Sequence, residues 1–202
     1  RWSTYLEPSH FLLPFDTTVE AAVVTRAPPN GQANESLALT VLAVSVKDTN
    51  AQDRLDLRAT VNRIAKFTLR IDPSTRYVDP GGNGEFNLTV ANTGNTCETV
   101  LLNAEEPGAL SIPEVYIGTG QSAQASLSVP VAANERAWTT LLVSVEGTSA
   151  LDAQISRHAI ATVVVNQLHR IRGELLPTVV SLMPGATKTT DLRVWNEGNG
   201  PD

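Results

Sequence analysis

The chain has 202 residues, of which 42% are hydrophobic, and 15 Lys and Arg stand against 21 Asp and Glu for a formal net charge of −6. Its basic residues are scattered, unlike the clustered footprint of a nucleic-acid binder, and no apolar run approaches the ~18 residues of a membrane-crossing helix. Neither nucleic acid nor a membrane is therefore expected as a partner of these residues, and the single cysteine, Cys97, excludes an intrachain disulfide.

The first sixty residues are short alternating runs separated by turn residues, the pattern of half-buried strands. Val19, Ala21 and Val23 alternate with Thr18, Glu20 and Ala22. Pro28-Pro29-Asn30-Gly31 breaks the pattern, because proline restricts φ and Asn-Gly accepts positive φ. The run Leu37 to Val46 is apolar on both faces up to Ser45, so its buried face has to be read by comparison with a second copy. Leu55, Leu57, Ala59 and Val61 alternate with Asp56, Arg58 and Thr60, one face for a core and one for water. Residues Asn62 to Phe67 form a connection without a Gly/Ser spacer, which places the next unit close to the first.

The middle of the chain repeats this grammar. Asp79-Pro80-Gly81-Gly82-Asn83-Gly84 is a dense turn, and Phe86, Leu88 and Val90 alternate with Glu85, Asn87 and Thr89. Asn92-Thr93-Gly94-Asn95 ends that strand, with Gly94 the natural residue for a backbone conformation that others resist. Thr99 to Leu102 reads as a strand and Glu105 to Gly108 as its turn, followed by the alternating Ala123, Ala125, Leu127 and Val129 and then by Leu141, Val143 and Val145. Ala150 to Ile160 carries Leu151, Ile155 and His158 at helical spacing, but its Ser and β-branched neighbours speak against a helix.

An internal repeat ties these runs together. Pro184-Gly185, Leu192, Val194 and Asn196-x-Gly198-Asn199 lie 104 residues after Pro80-Gly81, Leu88, Val90 and Asn92-x-Gly94-Asn95. Ala123, Ala125 and Leu127 follow Val19, Ala21 and Val23 by the same 104 residues. Leu141, Val143 and Val145 align with Leu42, Val44 and Val46 at an offset of 99, and Ala159, Ala161 and Val163 with Leu57, Ala59 and Val61 at 102. Arg1-Trp2 aligns near Ala109-Leu110 with a gap of about four residues, which turns tolerate. A period of roughly 100 residues is the size of one immunoglobulin-like sandwich, so the repeating unit is a whole domain and the fold class expected is all-β, with tandem immunoglobulin-like sandwiches. Residues 1–65 read as the back part of one sandwich, 66–168 as a complete one, and 169–202 as the front strands of a further one.

From Val78 to Asn95 the order V-D-P-G-G-x-x-x-F-x-L-T-V-x-N-T-G-N, then Pro107-Gly108, Ile117-Gly118-x-Gly120, Ala123 to Pro130 and Leu142 to Val145, resembles the NEW3/CARDB-type group of Ig-like domains. The resemblance covers Phe67 to Asn166. It implies an Ig-like sandwich, an extracellular or cell-surface setting in an archaeal or bacterial protein, and no shared catalytic residues.

The residues themselves carry little chemistry. The histidines, His10, His158 and His169, lie in no G-x-S-x-G, H-E-x-x-H or Cys-x-x-Cys context, so no catalytic residue, cofactor site or enzymatic activity is expected. Oxygen-rich turns at Asp72, Asp79, Asn83, Asn92 and Asn95 could serve calcium, but Asp and Asn are also preferred in turns, and the third copy has Leu176 and Met183 in place of Asp72 and Asp79. No metal site is expected. Asn34-Glu35-Ser36 and Asn87-Leu88-Thr89 are candidate N-glycosylation sites, Asn95-Thr96-Cys97 a weaker variant. Trp195 and Tyr77 could face outward, yet they make no aromatic platform for a sugar.

Two functions remain open. One is a structural component of a surface array or filament, whose partners are copies of the same chain joined head to tail, with glycans attached. The front strands of one copy would complete the back strands of the next, or both would belong to one continuous polymer; a longer protein of which this is a part is the competing explanation. The other function is an accessory spacer module, contacting carbohydrate or protein, in a larger extracellular enzyme.

Overall fold

In the computed structural model, which describes residues 1–202, every regular element is a strand. The first unit holds β1 (Ser3–Glu7), β2 (Ala22–Arg26), β3 (Ser36–Val44) and β4 (Gln52–Thr60). The middle unit holds β5 (Phe67–Asp72), β6 (Thr75–Val78), β7 (Asn83–Asn92), β8 (Glu98–Ala104), β9 (Ala109–Leu110), β10 (Glu114–Ile117), β11 (Ser122–Pro130), β12 (Thr140–Ser149) and β13 (Ser156–Val165). The last unit holds β14 (Ile171–Leu176) and β15 (Asp191–Asn196).

The middle unit is an immunoglobulin-like sandwich of two sheets, ordered β5-β7-β11-β9 and β10-β8-β12-β13-β6. Every pairing in them is antiparallel except that of β6 with β13. Alternation places one face of each sheet inward. Phe86, Leu88 and Val90 from one sheet and Val143, Val145 and Val163 from the other are fully enclosed. Leu141, on the same alternating face as Val143 and Val145 but near the start of β12, is only half-buried and packs against the edge of the core. The segment with helical spacing enters β13 at Ser156; the turn before it is held by Ser149, whose Oγ accepts from the backbone N–H groups of Leu151 and Asp152 and donates to the enclosed Glu98 carboxylate.

Strand ladders correct the sequence alignment of the first unit. Val41 pairs with Leu55 as Val145 pairs with Ala159, and Leu37 with Ala59 as Leu141 with Val163. Ser45 N–H bonds Ala51 O as Ser149 N–H bonds Ile155 O. These equivalences all stand 104 residues apart, so the offsets of 99 and 102 were wrong. The offset of 99 differs from 104 by an odd number and so inverts the face of the strand, while that of 102 differs by an even number and only slides it; in a run apolar on both sides nothing in composition reveals the inversion. The core-equivalent face is Leu37, Leu39 and Val41, which are half-buried, while Leu42, Val44 and Val46 are exposed. Likewise Leu6 faces Val23 as Leu110 faces Leu127, so no four-residue gap separates Arg1-Trp2 from the repeat.

Two further expectations change in their physical cause. Positive φ falls on Gly81 (79°) and its equivalent Gly185 (80°), and on Asn34, but not on Gly94 or Asn30-Gly31. Gly94 is required by space: a Cβ there would lie 2.3 Å from Ile64 O.

The outer units carry the same apolar residues without the same burial. Leu88 and Val90 are 0% exposed, whereas their equivalents Leu192 and Val194 are 64% and 60% exposed. In β4, Leu57 is also exposed where its equivalent Ala161 is enclosed. Truncating Leu88 to Ala should lower the urea-unfolding stability of the middle sandwich by about 2–5 kcal/mol. Leu192→Ala should change it by less than about 0.5 kcal/mol at concentrations where the chain is monomeric.

Candidate functional site

The most organised polar site lies where the middle sandwich meets the first unit, and it grows out of the turn after β7. Asn92, almost fully enclosed, closes that turn on itself: its Oδ1 accepts from Gly94 N–H at 2.9 Å, and its Nδ2 donates to Thr96 O at 2.8 Å and Ile117 O at 3.1 Å. A buried amide saturated in this way has one stable orientation. The turn then presents Asn95 to the preceding unit.

Asn95 is bonded through every polar group it has. Its Oδ1 accepts from Ile64 N–H at 2.7 Å, and its Nδ2 donates to Asn62 O at 2.9 Å and Gly31 O at 3.2 Å. Its backbone N–H donates to Ile64 O at 3.1 Å, and its backbone O accepts from Ala33 N–H at 2.9 Å. Thr93 N–H reaches Lys66 O at 2.8 Å. The linker Asn62 to Lys66 is thus stitched to the turn rather than spanning a gap.

The same joint recurs between the middle sandwich and the last unit. Asn196 closes its turn through Gly198 N–H and Gly200 O at 2.8 and 2.7 Å. Asn199 Oδ1 accepts from Leu168 N–H at 2.6 Å, and its Nδ2 donates to Asn166 O at 2.9 Å and Glu135 O at 3.2 Å. Asn199 N–H donates to Leu168 O, and its O accepts from Ala137 N–H. A Cβ on Gly198 would lie 2.3 Å from Leu168 O, as at Gly94 with Ile64 O. Even the positive φ of the receiving loop recurs, 66° at Asn34 and 65° at Trp138. Each partner stands 104 residues from its counterpart. Because the partners are backbone groups, Gly31 can become Glu135 and Thr93 can become Glu197 while the joint stays the same. In the second joint Glu197 adds exposed ion pairs with Arg170 and Arg172, and the Arg172 guanidinium lies 5.4 Å from the Trp195 ring centre.

Sequence reasoning saw this asparagine-glycine turn as the end of a strand and missed its partner across the linker. A signal was there: Asn62 and Asn166 also stand 104 residues apart, at the other side of the joint.

The other candidate residues are dispersed. Asn34 and Asn87 are exposed, Asn87 in mid-strand on the outward face of β7. Asn95, also in a sequon, has its side chain committed to the joint. Asp79 Oδ1 accepts from Asn166 Nδ2 at 2.7 Å, Asp72 stands opposite Asn87 at the end of the β5–β7 ladder, and Asn83 begins β7 exposed. No three His, Cys, Asp or Glu side chains gather as a metal site. His10 Nδ1 lies 3.0 Å from Ser9 Oγ on an exposed loop, His158 pairs with Glu146 at 3.7 Å, and His169 with Asp202. The three belong to separate places in the chain, and His10 has no carboxylate to orient it. Cys97 is exposed; its hydrogen bond and its charge push the neighbouring Tyr116 phenol above its ordinary pKa. Tyr77 is exposed in the middle unit and Trp195 belongs to the last, so they form no common platform.

Fold and site together define an all-β chain with one immunoglobulin-like β-sandwich, flanked on each side by strand pairs of the same repeat and joined to them by a repeated asparagine lock. No protein-family model matches the chain. No curated protein matches it either. Among solved structures it is similar to WR4, a C. elegans MSP family member, at 7% identity over 48% of this chain and 97% of that one, with a TM-score of 0.35. It is also similar to a PapD-like domain of human CEP192 at 12% identity, 49% and 84% coverage and a TM-score of 0.36. A third similar structure is domains 4 and 5 of the S-layer protein SbsC, at 16% identity, 59% and 61% coverage and a TM-score of 0.32. Replacing Asn92 by Ala strips two enclosed carbonyls of their donor, and should cost the middle sandwich about 1–3 kcal/mol in chemical unfolding.

Proposed function

We propose that the chain is a structural component of an extracellular or cell-surface array or filament, in which Ig-like units are joined head to tail. The observation that carries this reading is the pair of joints with the same hydrogen bonds at a spacing of 104 residues. A device repeated bond for bond serves the relative placement of the units, which is what a load-bearing or space-setting polymer needs. The NEW3/CARDB-type resemblance of the middle sandwich belongs to the same proposal.

The bare apolar faces say what the next contact is made of. β14 and β15 are the equivalents of β5 and β7; β1 and β2 are the equivalents of β9 and β11, which extend the same sheet beside β7, and β3 and β4 are those of β12 and β13, in the sheet that faces it. Front strands of one unit are therefore the natural cover for the back strands of the next. A second copy provides that cover from outside, with the place of the β8 equivalent still open, and a continuous polymer provides it along one chain. Sedimentation of the purified chain over a concentration series should show open-ended growth, with threads visible by electron microscopy. A homogeneous monomer in which residues 169–202 fold back on residues 1–65 of the same chain would overturn head-to-tail assembly.

Glycans fit the same setting. Asn34 and Asn87 are exposed and free to be modified, while a sugar on Asn95 Nδ2 would remove one of its two N–H donors and crowd the carbonyls of Gly31 and Asn62 that they bond. Peptide mass spectrometry of the native protein should find added sugar on Asn34 or Asn87 and none on Asn95.

A further inference from the structure

We infer that the end of each sandwich that meets its successor is a socket whose partner is the Asn-x-Gly-Asn turn of the following repeat, and that Asn95 and Asn199 set a single angle between neighbouring units. The inference deepens the array reading, but the socket itself is a property of this chain whether or not it assembles.

The socket has two walls. In the first joint they are the loop at Gly31 and Ala33 and the linker, which is bonded at both Asn62 and Ile64; one residue, Asn95, bonds both walls. A turn held to a single segment can pivot about it. Attachment to two separate segments, through five hydrogen bonds of one residue, removes the pivot, so the angle between units is set by the joint and not by the length of the linker. The second joint has the same two walls, one at Glu135 and Ala137 and the other at Asn166 and Leu168.

The chemistry of the socket selects its occupant. It offers two carbonyl oxygens and one amide N–H to the side chain, which calls for a primary amide with two donors and an acceptor on a short stem. Aspartate has the shape of asparagine but no donor, and it would set a carboxylate against the carbonyls of Gly31 and Asn62. The residue before it has to be glycine, since the linker carbonyl occupies the place of a side chain. The occupant is thus another unit of this repeat, recognised by asparagine and glycine together; the variable residue of the turn, Thr93 or Glu197, bonds the linker through its backbone N–H, and the Glu197 side chain adds only exposed ion pairs.

A distance measurement in the full chain tests the socket. With Cys97→Ser removing the native thiol, spin labels on cysteines replacing the exposed Asp53 and Gln124 report across the first joint. The expected result is one narrow distance, which Asn95→Asp converts into a broad distribution while the unfolding midpoint of the middle sandwich is retained; Asn87→Asp, away from the joint, leaves the narrow distance intact. A broad distribution in the parent chain, or a narrow one in Asn95→Asp, overturns the inference. Should Asn95→Asp unfold the middle sandwich, Asn199→Asp with labels replacing Gln124 and Arg193 asks the same question of the second joint, with the same two outcomes. Failure of head-to-tail growth in the presence of a narrow distance would remove the filament and keep the socket.

Discussion

One saturated side-chain amide organises the arrangement of this molecule. A backbone linker pressed between two domains has carbonyl and N–H groups that lose water, and each needs a partner or costs free energy. Asn95 supplies them from one residue, with its own backbone completing the set. From that requirement follow the glycine before it, which leaves room for the linker carbonyl, and the short connection, which has to bring that carbonyl within reach. The constancy of the 104-residue spacing follows as well. An insertion in a surface turn is tolerated, yet the strand ladders and both joints keep step throughout this chain.

The sandwich core supplies the rigidity that makes such a joint meaningful. Burying a Val or Leu side chain contributes on the order of 1.5–3 kcal/mol, and the middle sandwich encloses a full set from both sheets. The outer units show that burial is a relation between sheets and not a property of residues. Leu192 and Val194 repeat Leu88 and Val90 in type and strand position, and they remain exposed because β14 and β15 have no facing sheet.

The three histidines lie in separate places, and Asp79 bonds Asn166 across the end of the middle sandwich. Glu98, the one enclosed acid, accepts from Ser149 through Oε1, while its Oε2 is buried without a partner. Asn92 and Asn95 direct their side chains to backbone groups: each Oδ1 accepts one backbone N–H and each Nδ2 donates to two backbone carbonyls.

Period-two alternation in Phe86 to Val90 and in Ala123 to Val129 was enough to determine strands, their buried faces and an all-β class, because a half-buried strand has no other way to separate water from core. The recurrence of Pro-Gly and Asn-x-Gly-Asn determined the size of the repeating unit. Tertiary structure alone decided the register of Leu37 to Val46, since a run apolar on both sides reads equally well either way until a ladder binds it. It alone gave Gly94 its steric reason and Asn95 its partners. Those partners are backbone groups of Gly31, Asn62 and Ile64, which any residue carries; the recurrence of Asn62 at Asn166 marks the place, but the bonds there are made by carbonyl oxygens.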